Sequence, residues 1–298
     1  MSQAIRPAAI RSAASLIICA RKNIGDSAPS SAGNFRILTV KRNDSGSYAS
    51  AHVFPGGKLE PVDTLPWRVH GAAEPNLDHR LAAIRESFEE VGFHGLLDSP
   101  PNSSPNFVQL RNQLNAGQIN FQQLCTDHNL VPNVSKMVHW SSWITPPMIS
   151  HRFNTQFYLT VADRSRQEIL DLGSDGTEVV QLDWLSPKEA IDAFDRGDIN
   201  LFLPQYYTLW ELQRYSLEDL EALVAKISSR AVPPTFDPEL QVEDTKRSFL
   251  ALPGDYIHSS SPGSDGDRRN IHRAYFERHK GAFTKWSICR SDEELAKL

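Results

Sequence analysis

The sequence predicts an α+β fold, and two kinds of pattern lead to it. Short runs rich in β-branched and aromatic residues recur at residues 13–20, 35–42, 138–145, 152–161 and 178–185, each ending at a polar, glycine or proline break. Between them lies a stretch of helical spacing, in which Leu81, Ile84, Phe88 and Val91 recur every three or four residues. A second helix start appears at Ser186-Pro187-Lys188-Glu189, with an N-cap serine, a proline at the first helical position and a glutamate at the third.

Taken in order, Ala13-Ala14-Ser15-Leu16-Ile17-Ile18-Cys19-Ala20 reads as a buried strand and residues 23–34 as a Ser/Gly-rich loop. Residues 35–42 form the next strand, ending in Lys41 and Arg42. Val53-Phe54-Pro55-Gly56-Gly57-Lys58-Leu59-Glu60 is a short apolar run feeding a Gly-Gly turn. Missing Cβ atoms there let backbone N–H groups approach a ligand oxygen. The helix around residues 81–91 has Asp78 as its expected N-cap and Gly92 at the left-handed C-terminal position. A Pro/Ser/Asn loop at 98–106 precedes a helical pattern over 107–129, broken near Gly117 and anchored by Phe121 and Leu124. Trp140, Trp143, Phe153, Phe157 and Trp184 read as core aromatics. An amphipathic helix is expected over 217–227, then a Pro/Asp/Gly-rich stretch over 231–270 with a loop at 259–267. The basic group Arg268, Arg269, His272, Arg273, Arg278, His279 and Lys280 reads as a solvated face.

The chemistry concentrates in Arg85-Glu86-Ser87-Phe88-Glu89-Glu90-Val91-Gly92-Phe93. Glu86, Glu89 and Glu90 are spaced i, i+3, i+4 and crowd one helix face. Like charges at those spacings destabilise a bare helix by a few tenths of a kcal/mol per pair. An acidic helix face alone is ordinarily solvated surface. On half-buried ground it makes sense once a cation neutralises it, and carboxylate oxygens suit Mg²⁺ or Mn²⁺.

A glycine turn, a loop and a helix bearing Arg-Glu-x-x-Glu-Glu-x-Gly together resemble the Nudix box. The resemblance implies a Nudix hydrolase: an α/β/α sandwich with a mixed β-sheet, cleaving a diphosphate linked to another moiety with Mg²⁺ (or Mn²⁺). Gly57 matches the first glycine of the pattern, and Glu86, Glu89 and Glu90 its metal-binding acids. Asp63 stands where Glu is usual, Ser87 replaces an apolar residue, and 21 residues separate Asp63 from Arg85 where the pattern has seven. By this resemblance Arg85 orients an acid through a salt bridge, Gly56 and Gly57 complete the site, and Lys41 and Arg42 meet substrate phosphate. Arg152 is open between phosphate binding and a structural ion pair. The general base is open between Glu86 and Glu178, which precedes the strand ending at Trp184.

Trp143-Ile144-Thr145-Pro146, Arg152-Phe153-Asn154-Thr155-Gln156-Phe157-Tyr158 and Leu203-Pro204-Gln205-Tyr206 are similar to one Nudix branch, which contains peroxisomal enzymes hydrolysing coenzyme A and acyl-CoA. That branch implies 3′,5′-ADP and 4′-phosphopantetheine, or its acyl form, as products. Other diphosphates (nucleotide sugars, ADP-ribose, dinucleotides, capped RNA, prenyl diphosphates) stay open, as does a silent binding module. The expected organisation is a Nudix domain over 11–215, with a box insertion at 64–77 and a helical insertion at 98–136, then a helical, irregular C-terminal extension over 216–298.

Apolar content of 40% and charged content of 22% fit an ordinary globular protein. A net charge of −5 argues against a general electrostatic grip on nucleic acid. Cys19, Cys125 and Cys289 are scattered without metal spacing and suggest a reducing compartment. No apolar run reaches the length of a membrane span. The chain closes on Ala296-Lys297-Leu298, close to the Ser-Lys-Leu peroxisomal address, so a peroxisomal import receptor is an expected partner, with the cytoplasm as the alternative location.

Overall fold

The computed structural model describes residues 9–21, 34–43, 50–71, 75–162, 172–174, 176, 178–226, 232–243, 248–261, 270–279 and 282–291. The Ala296-Lys297-Leu298 ending, the 23–33 loop, and Arg268, Arg269 and Lys280 of the basic group lie outside them. The chain begins β1 (Ile10–Arg21), β2 (Phe35–Arg42), β3 (His52–Val53), β4 (Gly56–Lys58), α1 (Leu77–Val91) and β5 (Leu97–Asp98). It continues α2 (Phe107–Asn115), α3 (Phe121–Asp127), β6 (Val131–Pro132), β7 (Val138–Ile144), β8 (Arg152–Ala162) and β9 (Val179–Leu185). Then come α4 (Pro187–Asp195), α5 (Leu203–Leu212), α6 (Leu217–Ala225), β10 (Thr235–Phe236), β11 (Glu239–Val242), β12 (Ser248–Ala251), β13 (His272–His279) and β14 (Ala282–Arg290).

β1 is the axis of an eight-stranded mixed sheet ordered β10-β7-β8-β1-β2-β3, with β4 also paired to β1 and β9 to β2. It runs parallel to β8 from Ile10↔Arg152 to Ala20↔Ala162 and antiparallel to β2 and β4. Both faces of β1 are covered, which explains its unbroken apolar run. Ile17 and Cys19 join Phe35, Ile37, Phe157 and Leu159 in a core with α4, α5 and α6. Ala14, Leu16 and Ile18 join Leu38, Val40 and Tyr158 in a second core with α1, α2 and α3. The result is the expected sandwich of helices on both faces of a mixed sheet. Among the described residues no helix is long and apolar enough to cross a membrane.

α1 differs from expectation at its start. Its N-cap is Asn76 in the left-handed conformation (φ 59°), and Asp78 lies inside the first turn, accepting from the backbone N–H of His79 at 2.8 Å. Asn tolerates that backbone better than most residues, and the chain enters the helix sharply from the insertion before it. The C-terminus is as expected: Gly92 has φ 79°, and its N–H returns to Phe88 O.

The two insertions pack on each other. The His70 N–H donates to Pro132 O at 2.9 Å, Gln122 donates to Pro66 O, and the Trp67 ring lies 5.7 Å from that of Phe121. Asp98 is the hub, accepting from His70 Nδ1 (2.7 Å), Asn133 Nδ2 (2.6 Å) and Lys136 Nζ (2.7 Å). Burial raises the Asp98 pKa, but these hydrogen bonds win and hold it below the ordinary value of 3.8. A carboxylate so depressed stabilises the fold above its unfolded value, and the stabilisation fades as pH falls through the folded value. Asp98→Asn is therefore expected to cost about 1–2 kcal/mol at neutral pH and to speed hydrogen exchange at the His70 and Val134 amides. The difference from wild type should vanish in strong acid.

The C-terminal extension departs most from the sequence reading. After α6, β10 adds to the open edge of the main sheet, pairing Phe236 with Trp143 of β7. The rest builds an antiparallel sheet ordered β11-β12-β13-β14 where an irregular stretch is expected. Leu250, Leu252, Ala274 and Trp286 enter the α4–α6 core, and Trp286 Nε1 donates to Leu201 O at 3.0 Å. Two members of the basic group are not a solvated face. Arg273 is buried against Asp255 (2.8 Å), and His272 is buried with Nε2 2.8 Å from the Tyr207 hydroxyl.

Candidate active site

β4 and α1 meet where β1 passes beneath the Gly-Gly turn, through the pairs Ala14↔Gly57 and Ser15↔Gly56. A Cβ on Gly56 would lie 2.4 Å from Ala14 O and 2.6 Å from Ser15 Cα, so only glycine lets the turn sit this close to β1. A Cβ on Gly57 would lie 2.4 Å from the Glu86 carboxyl carbon. Gly57→Ala is thus expected to push Glu86 aside, since the Glu86 side chain yields more easily than backbone. Activity should fall at least tenfold while the melting temperature moves little, by parallel kinetics and thermal melts.

Arg85 organises the acids. Its Nε and Nη2 grip Asp63 Oδ1 and Oδ2, each at 2.9 Å, in a bidentate pair with side chains 2% and 0% exposed. Nη1 donates to Glu86 Oε1 at 3.1 Å and Glu89 Oε2 at 3.0 Å, and Nη2 also reaches Lys58 O at 3.0 Å. Burial works against the charge on Arg85, but Asp63, Glu86 and Glu89 outweigh it and raise its pKa. Asp63 accepts the Glu60 N–H at 2.8 Å, which closes the turn carrying it. The insertion therefore loops out after Asp63 and returns the chain to it at Arg85. Ser87, the other departure from the pattern, is fully buried with its hydroxyl on Ile84 O.

Glu90 faces the turn from α1. Its Oε2 accepts the Gly56 N–H at 2.9 Å, and its Oε1 lies 3.3 Å from Arg42, which also pairs with Glu178 at 2.5 Å. Burial pushes Glu90 up to about 8; the Gly56 N–H and Arg42 oppose this, and the charges of Glu86 and Glu178 add to it. Burial pushes Glu86 up to about 7, with Arg85 opposing and the charges of Glu89 and Glu60 contributing. Glu89 is raised for the same first reason, again against Arg85. Glu60, three residues past Gly57, is an acid of this field that the sequence reading passed over.

The structure thus brings together Glu86, Glu89, Glu90, Arg85, Arg42, Glu178, Gly56 and Gly57. It does not join Lys41 or Arg152 to them. Lys41 alternates with Arg42 on β2 and pairs in register with His52. Arg152 opens β8, and its Nε donates to Thr145 O at 2.9 Å across the β7–β8 turn.

Residues 68–212 match the sequence profile of the NUDT19 Nudix domain. That match, with the relatives below, supports a Nudix hydrolase. This hydrolase resembles the acyl-CoA diphosphatase branch. It is 25% identical to acyl-coenzyme A diphosphatase NUDT19 of Xenopus laevis, over 88% of this chain and 84% of the relative. It is 28% identical to the Gallus gallus protein of that name, over 87% and 82% of the two chains. The Homo sapiens counterpart is 29% identical over 74% of each. In fold the hydrolase is similar to the crystal structure of a Nudix hydrolase from Alicyclobacillus acidocaldarius, with a TM-score of 0.59 and 19% identity over 75% of this chain and 99% of that one.

Nudix hydrolases generally use divalent metals. Among the described residues no three His, Cys, Asp or Glu side chains are disposed as they stand to hold a metal ion. The reason lies in the contacts above: Arg85 occupies oxygens of Glu86 and Glu89, while Glu90 is turned to Gly56 and Arg42. By charge and donor type the set does fit a hard cation. Among the described residues Arg85 and Arg42 pair with five acids, Asp63, Glu86, Glu89, Glu90 and Glu178.

Proposed function

We propose that this Nudix hydrolase cleaves the diphosphate bond of coenzyme A or acyl-CoA, giving 3′,5′-ADP and 4′-phosphopantetheine or its acyl form. The observation that carries the reaction class is the clustered face of Glu86 and Glu89, half-buried, and Glu90, buried, set against the Gly56-Gly57 turn. The relatives named acyl-coenzyme A diphosphatase, aligned over most of both chains, support the substrate.

In this reading Glu86, Glu89 and Glu90 hold Mg²⁺ or Mn²⁺. A bound cation would neutralise charge that builds on the diphosphate oxygens. The chain's own groups do the rest. Gly56 holds the turn against β1, and Gly57 lets the Glu86 carboxylate stand directly beside that turn. Arg42, at the rim between Glu90 and Glu178, offers its guanidinium to a phosphate oxygen. Arg85 stays with Asp63 and orients Glu86 and Glu89. Water adds to one phosphorus, the bridging P–O bond breaks, and the proton passes to Glu86 or Glu178. Glu178 is the more accessible of the two, with a side chain 62% exposed.

Purified protein with Mg²⁺ or Mn²⁺, offered CoA thioesters and other nucleoside diphosphate derivatives in parallel, should release 3′,5′-ADP, resolved by mass. Rapid turnover of another diphosphate with CoA left intact would discard the substrate and keep the chemistry. No turnover in either panel would favour the binding module. We also propose peroxisomal residence through Ala296-Lys297-Leu298 and an import receptor, tested by whether residues 287–298 carry a fluorescent reporter into peroxisomes.

A further inference from the structure

The last turn of α1 carries two of the three acids, and its carbonyls have no partner within the helix. All of them are satisfied from elsewhere. Phe88 O accepts the Gly92 N–H at 2.9 Å, and Val91 O accepts the Gly173 N–H at 3.1 Å. The two between them belong to Glu89 and Glu90, and one side chain takes both. Arg111 of α2 donates from Nε to Glu89 O at 2.9 Å and from Nη2 to Glu90 O at 2.5 Å. Its Nη1 donates to Gly173 O at 2.9 Å, and Asn115, one turn further on, donates to Glu89 O at 3.1 Å.

Arg111 therefore ties three segments to one half-buried guanidinium: the end of α1, the helical insertion, and the run at Gly173 that leads into Glu178 and β9. A planar fork with donors in fixed directions can hold three carbonyls at once, and a lysine ammonium cannot reproduce that geometry. A positive group at a helix C-terminus is also favourable in itself. Metal-binding carboxylates work only when the atoms behind them are fixed, and the partners that fix them affect affinity and rate nearly as much as the ligands.

We propose that Arg111 is a positioning residue of this hydrolase. By holding the backbone of Glu89 and Glu90 it sets where their carboxylates stand, and the helical insertion exists in part to present it. This rests on the reading of Glu86, Glu89 and Glu90 as metal-holding acids.

Arg111→Met and Arg111→Lys test it, read by Mn²⁺ binding from the resonance of the free ion, by kcat and KM on CoA, and by thermal melts. Asp98→Asn serves as a control that loosens the same insertion away from the acids. R111M is expected to weaken Mn²⁺ binding about tenfold and lower kcat roughly 10–100-fold, with KM little changed. R111K should recover part of both, and D98N should lower the melting temperature without touching either. Wild-type Mn²⁺ affinity and kcat in R111M, with only a lowered melting temperature, would overturn the proposal. So would the absence of Mn²⁺ binding in wild type. Should wild type bind Mn²⁺ and leave CoA intact, the substrate reading falls, and the metal measurement still decides the role of Arg111. If R111M fails to fold, R111K and Asn115→Ala carry the comparison, and wild-type metal affinity in R111K would again overturn it.

Discussion

Glu90→Gln is expected to lower turnover by about 10³-fold or more while leaving the metal-free melting temperature within a few degrees of wild type. The two halves of this result have separate causes. Glu90 is 4% exposed, and burial pushes its pKa up to about 8, so without a cation its negative charge is disfavoured. A neutral amide of the same shape keeps one oxygen for the Gly56 N–H and gives up only the 3.3 Å contact with Arg42, which still pairs with Glu178. The variant loses the negative charge that a cation calls up. Wild type should therefore gain stability on titration with Mn²⁺, by about 2.7 kcal/mol at a hundredfold excess over Kd, and the variant should gain far less. Unchanged turnover in E90Q would remove Glu90 from the proposed site.

Arg85→Met is expected to have the largest effect on stability. It strips both guanidinium bonds from Asp63, whose side chain is fully buried, and removes the partner shared by Glu86 and Glu89. Removing one member of a buried pair costs about 3–5 kcal/mol, because the remaining charge is stranded. For a chain of this size that lowers the melting temperature by roughly 10 °C. Replacing both members by apolar residues strands nothing, so Arg85→Met with Asp63→Leu should recover much of the stability and none of the activity. If the double variant melts no higher than R85M, the Asp63–Arg85 pair is not the source of the loss.

The acid face was legible in the sequence because helix periodicity fixes which side chains share a side, and a Gly-Gly turn announces close backbone approach. Asp63 was harder. The 64–77 insertion separates it from Arg85 along the chain; in the fold that loop packs out onto the helical insertion through Trp67 and His70, and Arg85 comes back to Asp63. Arg111 gives no local signal, since the carbonyls it holds lie 21, 22 and 62 residues away, and carbonyls have no identity in a sequence. Lys41 and Arg42 look alike as a strand-end pair. The alternation of β2 separates them, and only Arg42 reaches Glu90. In the C-terminal sheet, charges in β13 hid the strand pattern: Arg273 reads as surface until Asp255, 18 positions earlier, is seen buried against it.

The two residues of β10 have a consequence out of proportion to their length. Without them β7 would end the main sheet as an open row of N–H and C=O groups, beside a Trp143 ring now stacked 4.3 Å from Phe236. Such an edge templates pairing with a second chain. A fragment stopped at residue 215 would keep every acid of the site and still be prone to stick to itself. The chain beyond residue 215 in this sense covers an edge of the same sheet whose other strands carry the site.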